Sequence, residues 1–251
     1  AIVAVDYAGH PCDWQALRTI ANKHQVQLVN DNCHAIGAEY HGDAGYAVKY
    51  ADAVTHSYHP VKHITTGEGG AVLSTRKDVY DRVKLLRTHG VKEKDEDSLG
   101  ASRESWRYDM VDLGFNYRIT DFQCALGLTQ LSKLQWFLSE RRKLAKLYIE
   151  LLDSVSAIIC PMAHSSVEHA YHIFPIQIDF DSIGVTKDQF FAQLRTHNIN
   201  LQVHYVPIHL QPYYRNRYGF AEGDFPNAER YYSRTVTLPL YPGLKEADIQ
   251  Y

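Results

Sequence analysis

Lys62 sits in a stretch whose residue types suit amine chemistry. The run Ser57-Tyr58-His59-Pro60-Val61-Lys62-His63-Ile64-Thr65-Thr66-Gly67-Glu68-Gly69-Gly70 sets one lysine five residues after a serine and just ahead of a glycine-rich turn. Its sequence neighbours are small, aromatic or apolar, and Glu68 is the one close acid. Such surroundings penalise the ammonium form, lower the amine pKa and leave a usable nucleophile, the setting of a lysine that condenses with an aldehyde cofactor. An ordinary surface lysine in a loop fits the same window equally well. A second stretch, Gln27-Leu28-Val29-Asn30-Asp31-Asn32-Cys33-His34-Ala35-Ile36-Gly37-Ala38, closes a short apolar run on Asp31 and places His34 three residues later. In an open α/β sheet an acid at the carboxyl end of a strand lies where ligands bind, and it can pair with a protonated pyridine nitrogen. His56, His59 and His63 also invite a metal reading. They fall in loop next to strand, and no cysteine or close acid completes a tetrahedral set, so no metal is expected there.

The elements that must carry these residues are legible as alternating strands and helices. Apolar runs predict strands over 3–6, 28–30, 53–56 and 70–74, the last as a buried strand, and helical spacing predicts helices over 11–24 and 77–88. Asp13 is expected in the first helical turn, where an acid complements the dipole. The alternation predicts a mostly parallel sheet with crossovers. Residues 92–107 are polar and read as an exposed loop, equally a lid over substrate or plain surface. A long helical region over 121–152 is expected to connect to a different pattern. Beyond it come strands over 172–179, 199–204 and 235–238 and helices over 186–197 and 227–234, with Thr186 as an N-cap. The expected organisation is a large α/β domain over 1–135, then a connecting helix and small α+β domain over 136–251.

The chain has 251 residues, 45% of them hydrophobic and 22% charged, with a net charge of −3. That suits a globular protein and gives no reason to expect nucleic-acid or membrane partners. No apolar run approaches the roughly 20 residues that span a bilayer. Cys12, Cys33, Cys124 and Cys160 form no C-x-x-C pair and read as reduced cytosolic thiols, so a cytoplasmic location is expected. The chain opens on Ala1 directly into an apolar strand, and 245–251 reads as the start of a helix, so a fragment of a longer protein is expected.

Four motifs in order carry a resemblance. They are Asp31-x-x-His34-Ala35-x-Gly37, Ser57-Tyr58-His59-x-x-Lys62, Gly67-Glu68-Gly69-Gly70 and Gly114-Phe115-Asn116-Tyr117-Arg118-Ile119-Thr120-Asp121. Together the chain resembles the DegT/StrS family of nucleotide-sugar aminotransferases, from Val5 to about Leu240. The resemblance implies a type I fold of the aspartate-aminotransferase kind that uses pyridoxal 5'-phosphate (PLP), with an N-terminally incomplete large α/β domain and a small C-terminal α+β domain. It implies that Lys62 binds the cofactor aldehyde and then moves a proton; relatives with histidine there act as dehydratases, so lysine favours transamination. It implies that Asp31 pairs with the pyridine nitrogen and that Ser57 binds the phosphate. His34 would lie against the ring, or is a satisfied core histidine. Asn116 would reach the cofactor phosphate of a two-fold partner in a homodimer, or merely holds its own turn. His59, His204, Tyr205 and His209 are the candidate sugar-nucleotide contacts, although polar aromatics at 204–209 also suit a domain seam. Val5-Asp6-Tyr7-Ala8-Gly9 and the segment 202–214 look most like the pseudaminic acid branch of the family. That branch transfers an amino group from glutamate to C4 of a UDP-linked 4-keto-6-deoxy-N-acetyl-hexose. Rival readings are a sibling enzyme acting on a dTDP or GDP sugar, and a PLP- or sugar-nucleotide-binding protein without turnover.

Overall fold

A computed structural model describes residues 1–92 and 108–251. The segment 92–107, expected as an exposed loop, lies outside the described residues except for Lys92. The chain divides into two compact units, Ala1–Tyr7 with Pro11–Leu134, and Ala8–His10 with Gln135–Tyr251. In chain order the first unit holds β1 (Ile2–Val5), α1 (Trp14–Lys23), β2 (Leu28–Asp31), β3 (Glu39–Tyr40), α2 (Tyr46–Tyr50), β4 (Ala53–Ser57), β5 (Gly70–Leu73), α3 (Lys77–Leu86), β6 (Val91–Lys92), β7 (Asp109–Met110) and α4 (Asp121–Leu131). Then follow α5 (Leu134–Leu152), β8 (Ile158–Ile159), β9 (Val167–Glu168), β10 (Phe174–Ile178), α6 (Phe180–Ile183), α7 (Lys187–Thr196), α8 (Pro212–Tyr218), α9 (Pro226–Arg234), β11 (Thr235–Leu238) and α10 (Glu246–Gln250).

The sheet of the first unit runs β1-β2-β4-β5. β2 pairs parallel with both β1 and β4, and Asp31 lies opposite Val5 on one side and Thr55 on the other. Crossovers through α1 and α2 make this sense possible. β5 departs from the expected parallel sheet: it pairs antiparallel with β4, Ser57 opposite Gly70. The connection over 58–69 contains no helix, and a turn folded back on itself returns the chain in the opposite direction. Gly70 is required there, since a Cβ on it would lie 2.6 Å from the His56 carbonyl oxygen. β5 is also not the buried strand expected, because Val72 and Leu73 stay exposed. In β2 the period-two alternation buries Leu28 and Asn30 and leaves Val29 and Asp31 half-buried. Trp14, Ala21, Leu28, Tyr46, Val54 and Ile64 build the core beside it.

Asp13 is the N-cap of α1 rather than a first-turn residue, its Oδ1 accepting from the Ala16 N–H at 3.0 Å. The single helical region expected over 121–152 is two helices, α4 and α5, with a break at Ser132–Lys133. None of the α4 residues is buried.

In the second unit, Leu144, Ala145 and Tyr148 of α5 pack on Phe174, Ile176 and Ile178 of β10 and Val236 of β11. β11 and β8 flank β10, both antiparallel to it. Arg141 is buried, and its Nη1 donates to the carbonyls of Tyr171, His172 and Leu240 at 3.2, 2.9 and 3.0 Å. Burial brings its guanidinium down to about 10. Ala8 and Gly9 belong to this unit, their carbonyls accepting from the N–H groups of His172 and Ala170 at 2.8 and 2.9 Å. Thr186 caps α7 in a capping box with Gln189. The strand expected over 199–204 is reduced to one bridge, Gln202 with Thr237. His204 turns its ring to the Thr237 hydroxyl instead of extending the ladder, and Pro207 has no N–H to offer.

Candidate active site

Two parallel strand ends and one folded-back loop bring the candidate groups together. β2 ends on Asp31, β4 on Ser57, and the Asn32 N–H donates to the Thr55 carbonyl at 3.0 Å, holding the two ends level. The loop from Tyr58 closes on itself. The Tyr58 N–H donates to Gly69 O at 2.9 Å, the Thr66 N–H to Tyr58 O at 3.0 Å and the Lys62 N–H to His59 O at 2.9 Å. The Thr66 hydroxyl and the Gln123 side-chain amide both donate to the Glu68 carbonyl, at 2.7 and 2.8 Å. The glycine-rich turn is thus clipped to the first turn of α4.

Within this frame Lys62 is half-buried. Burial holds its ammonium pKa below the ordinary value, while the Cys33 thiolate, where it forms, and the Asp31 carboxylate act in the opposite direction. Asp31 and Lys62, 31 positions apart in the sequence, therefore share one electrostatic neighbourhood. Asp31 Oδ1 accepts from the Cys33 N–H at 3.1 Å. The Cys33 thiol is pushed up to about 11, by burial first and then by Asp31. Glu68, the one acid near Lys62 in sequence, faces His59 instead, with 3.9 Å between its Oε1 and His59 Nε2. Sequence proximity named the wrong acid because the loop folds back and turns the Glu68 side chain outward.

Ser57 Oγ accepts from the His59 N–H at 3.3 Å. His59 is exposed. His34 is buried in the turn after β2, its ring centroid 6.2 Å from that of Tyr7. Asn116 is exposed, and its neighbours are zipped to the end of α3: the Phe115 N–H donates to Leu86 O at 2.7 Å and the Tyr117 N–H to Arg87 O at 2.9 Å. Phe115 and Tyr117 stack on each other with centroids 4.9 Å apart.

The remaining candidates lie in the second unit. His204 Nδ1 is 2.8 Å from Thr237 Oγ1, and its ring meets the exposed Tyr205 edge-on at 4.7 Å. His209 is buried, its Nε2 2.8 Å from Glu229 Oε1. Glu229 also accepts from the N–H groups of Gly223 and Phe225, and these bonds, led by that to His209, hold its carboxyl below the usual range. Sequence reasoning passed over Cys33 and Gln123, whose roles depend on contacts between separate elements.

The arrangement pairs an amine shifted toward its neutral form with an acid at a strand end, a geometry suited to holding and moving a proton beside a bound carbonyl compound. The DegT/DnrJ/EryC1/StrS aminotransferase family model matches residues 1–251. The spore coat polysaccharide biosynthesis protein SpsC of Bacillus subtilis is 33% identical over 254 residues, covering 99% of this chain and 64% of that protein. The structure superposes on Helicobacter pylori PseC, an aminotransferase of pseudaminic acid biosynthesis, with a TM-score of 0.89 at 29% identity, covering 100% of this chain and 64% of that one. A Streptococcus pneumoniae protein assigned as a sugar aminotransferase and solved in its PLP-form gives a TM-score of 0.87 at 25% identity, covering 100% of this chain and 65% of that one. The chain spans 64% of the length of the curated relatives it matches. Its α/β fold is that of the PLP-dependent aminotransferases. The family model matches the chain from end to end, and the chain belongs to the DegT/DnrJ/EryC1/StrS aminotransferase family.

Proposed function

We propose that Lys62 and Asp31 form the core of a PLP site, and that the protein is a cytoplasmic sugar aminotransferase. The observation that carries this reading is the half-buried Lys62, its ammonium disfavoured by burial, in the same neighbourhood as the strand-end acid Asp31. The donor set fits the group. An amine shifted toward its neutral form suits an aldehyde carbon, a strand-end carboxylate suits a pyridinium nitrogen, and the Ser57 hydroxyl suits a phosphate oxygen. When bound, PLP supplies an electron sink that lets a carbon-bound proton leave and return. Lys62 Nζ would take that proton and give it back. Asp31 would keep the ring nitrogen protonated, and His34 would lie along the ring.

For the substrate, we propose a UDP-linked 4-keto-6-deoxy-N-acetyl-hexose aminated at C4 with glutamate as donor, as in pseudaminic acid biosynthesis. The likeness to PseC supports this reading. A sibling substrate, a dTDP- or GDP-linked keto sugar, is the second reading. His59, His204, Tyr205 and His209 are the proposed sugar-nucleotide side, with His209 acting through the loop that Glu229 holds. We further propose a homodimer in which Asn116 serves the partner's cofactor phosphate. Its support is the unburied apolar surface of α4, with Phe122 90% and Leu128 71% exposed, and large exposed apolar surface marks an interface.

The test has two arms. Protein incubated with PLP and reduced with borohydride should carry the cofactor on Lys62 by peptide mass spectrometry; an adduct on another lysine sinks the site. A panel of UDP-, dTDP- and GDP-4-keto sugars with glutamate should then give C4 amination of the UDP sugar above all. Preference for a dTDP or GDP sugar overturns the substrate and leaves the site standing.

A further inference from the structure

Asp6 is fully buried and is absent from the proposed mechanism, yet its carboxylate collects more donors than any other side chain among the described residues. Oδ1 accepts from the Cys12 N–H at 2.8 Å and the Trp14 indole N–H at 2.9 Å. Oδ2 accepts from the Asn30 amide at 3.1 Å, the Asn32 amide at 2.9 Å and the Tyr46 hydroxyl at 2.7 Å. The Asp6 N–H itself donates to the Asp31 carbonyl at 3.1 Å. These donors come from the residues entering and opening α1, from β2 and its following turn, and from the start of α2. Asn30 and Asn32 flank Asp31. Because successive strand side chains point to opposite faces, seizing both amides on one face presents Asp31 on the other.

We propose that Asp6 is a positioning residue for the candidate active site: by gripping Asn30 and Asn32 it fixes the Asp31 carboxylate at the end of β2, on the face away from the two amides. A buried carboxylate with five donors tolerates no rotation without stranding a polar group, and each stranded group is strongly unfavourable in the interior. That makes the end of β2 a rigid mount rather than a fraying strand end. Burial, and then the Asp6 charge, push the Tyr46 hydroxyl and the Cys12 thiol upward. The proposal rests on Asp31 and Lys62 being the core of the site, and the experiment separates the two.

The readout is the titration midpoint of Lys62 without cofactor. It is followed by NMR after reductive methylation with ¹³C-formaldehyde, the Lys62 signal being assigned by its loss in Lys62→Arg. Asp31 and Cys33 are the groups whose charge acts on Lys62. Asp31→Asn removes an anion that favours the ammonium, so the midpoint should fall. Asp6→Asn leaves Asp31 in the sequence but loosens its mount, so the midpoint should fall by at least half as much. The double variant should show no more than the Asp31→Asn shift, since both act through one carboxylate. Leu144→Ala, a buried change in the core of the second unit, should leave the midpoint in place. An unmoved midpoint in folded Asp6→Asn overturns the proposal, as does an equal shift in Leu144→Ala. If Asp6→Asn does not fold, Tyr46→Phe removes one donor to Asp6 and the hydroxyl that accepts from the Asn32 amide at 2.8 Å; a smaller fall supports the proposal and an unmoved midpoint overturns it. If Asp31→Asn leaves the midpoint unmoved, the site reading fails as well.

Discussion

Charge placement at single residues sets the chemistry available at the ends of β2 and β4. If Asp31 keeps a ring nitrogen protonated, Asp31→Asn should lower turnover by roughly a hundredfold or more, with the folded state retained by circular dichroism; near-normal turnover would remove Asp31 from the mechanism. The thiols offer a check that needs no cofactor. Cys33 and Cys12 are raised to about 11 and about 12, both chiefly by burial, whereas Cys124 is exposed. Only the thiolate reacts, so near pH 8 Cys33 should alkylate roughly a hundredfold slower than a free thiol of pKa about 8.5. Timed iodoacetamide labelling with peptide mass spectrometry should find Cys124 modified first. Early labelling of Cys33 would contradict the burial of its neighbourhood and with it the shifted state of Lys62.

Elements are tied at their ends by a few polar residues, and Asp52 is the clearest case. Its carboxylate accepts from Arg18 at 3.3 and 3.2 Å and from the Leu28 N–H at 2.7 Å, joining α1 to the start of β2. Burial acts to raise its pKa, but Arg18, the Leu28 N–H and Arg76 outweigh it and hold the carboxyl below its ordinary value. Asp52→Ala should destabilise by roughly 1–3 kcal/mol near neutral pH, because it strands the Leu28 donor. A depressed carboxyl contributes fully above the unfolded value of about 3.9 and loses its contribution as pH falls through the lower folded value. In urea unfolding the gap between wild type and variant should therefore narrow only in strong acid, where the charge-dependent part is lost. How much of this was readable in the sequence depends on range. Thr186 as the N-cap of α7, and the strand over 235–238, are local patterns and stand where expected. The sense of β5 depends on how 58–69 folds, and the acid beside Lys62 on which strand is its neighbour; neither is written in a window of a few residues. The same holds for Asp6, which closes the apolar run Ile2-Val3-Ala4-Val5 as Asp31 closes its own, but faces the core.

At the scale of the molecule, α4 is apolar and unburied, so it is the place to test assembly. Leu128→Glu should shift a dimer to monomer in sedimentation velocity while leaving the monomer folded; an unchanged dimer would place the interface elsewhere. Complementation tests Asn116 itself. If Lys62→Ala and Asn116→Ala are each inactive, mixed dimers would hold one site with both defects and one intact site, so partial activity should return. No recovery after demonstrated subunit exchange would confine Asn116 to its own turn. Among the described residues no helix is long and apolar enough to cross a membrane. One further consequence follows from Ala8–His10, which lies between two segments of the first unit yet folds with the second. Neither unit is a continuous stretch of gene, and expressing 135–251 alone would leave the Ala170 and His172 N–H groups without the carbonyls of Gly9 and Ala8. A single splice near Leu134 therefore joins 135–251 to a tripeptide at 8–10 from the other parent, which brings backbone carbonyls for the Ala170 and His172 N–H groups but side chains chosen for a different partner.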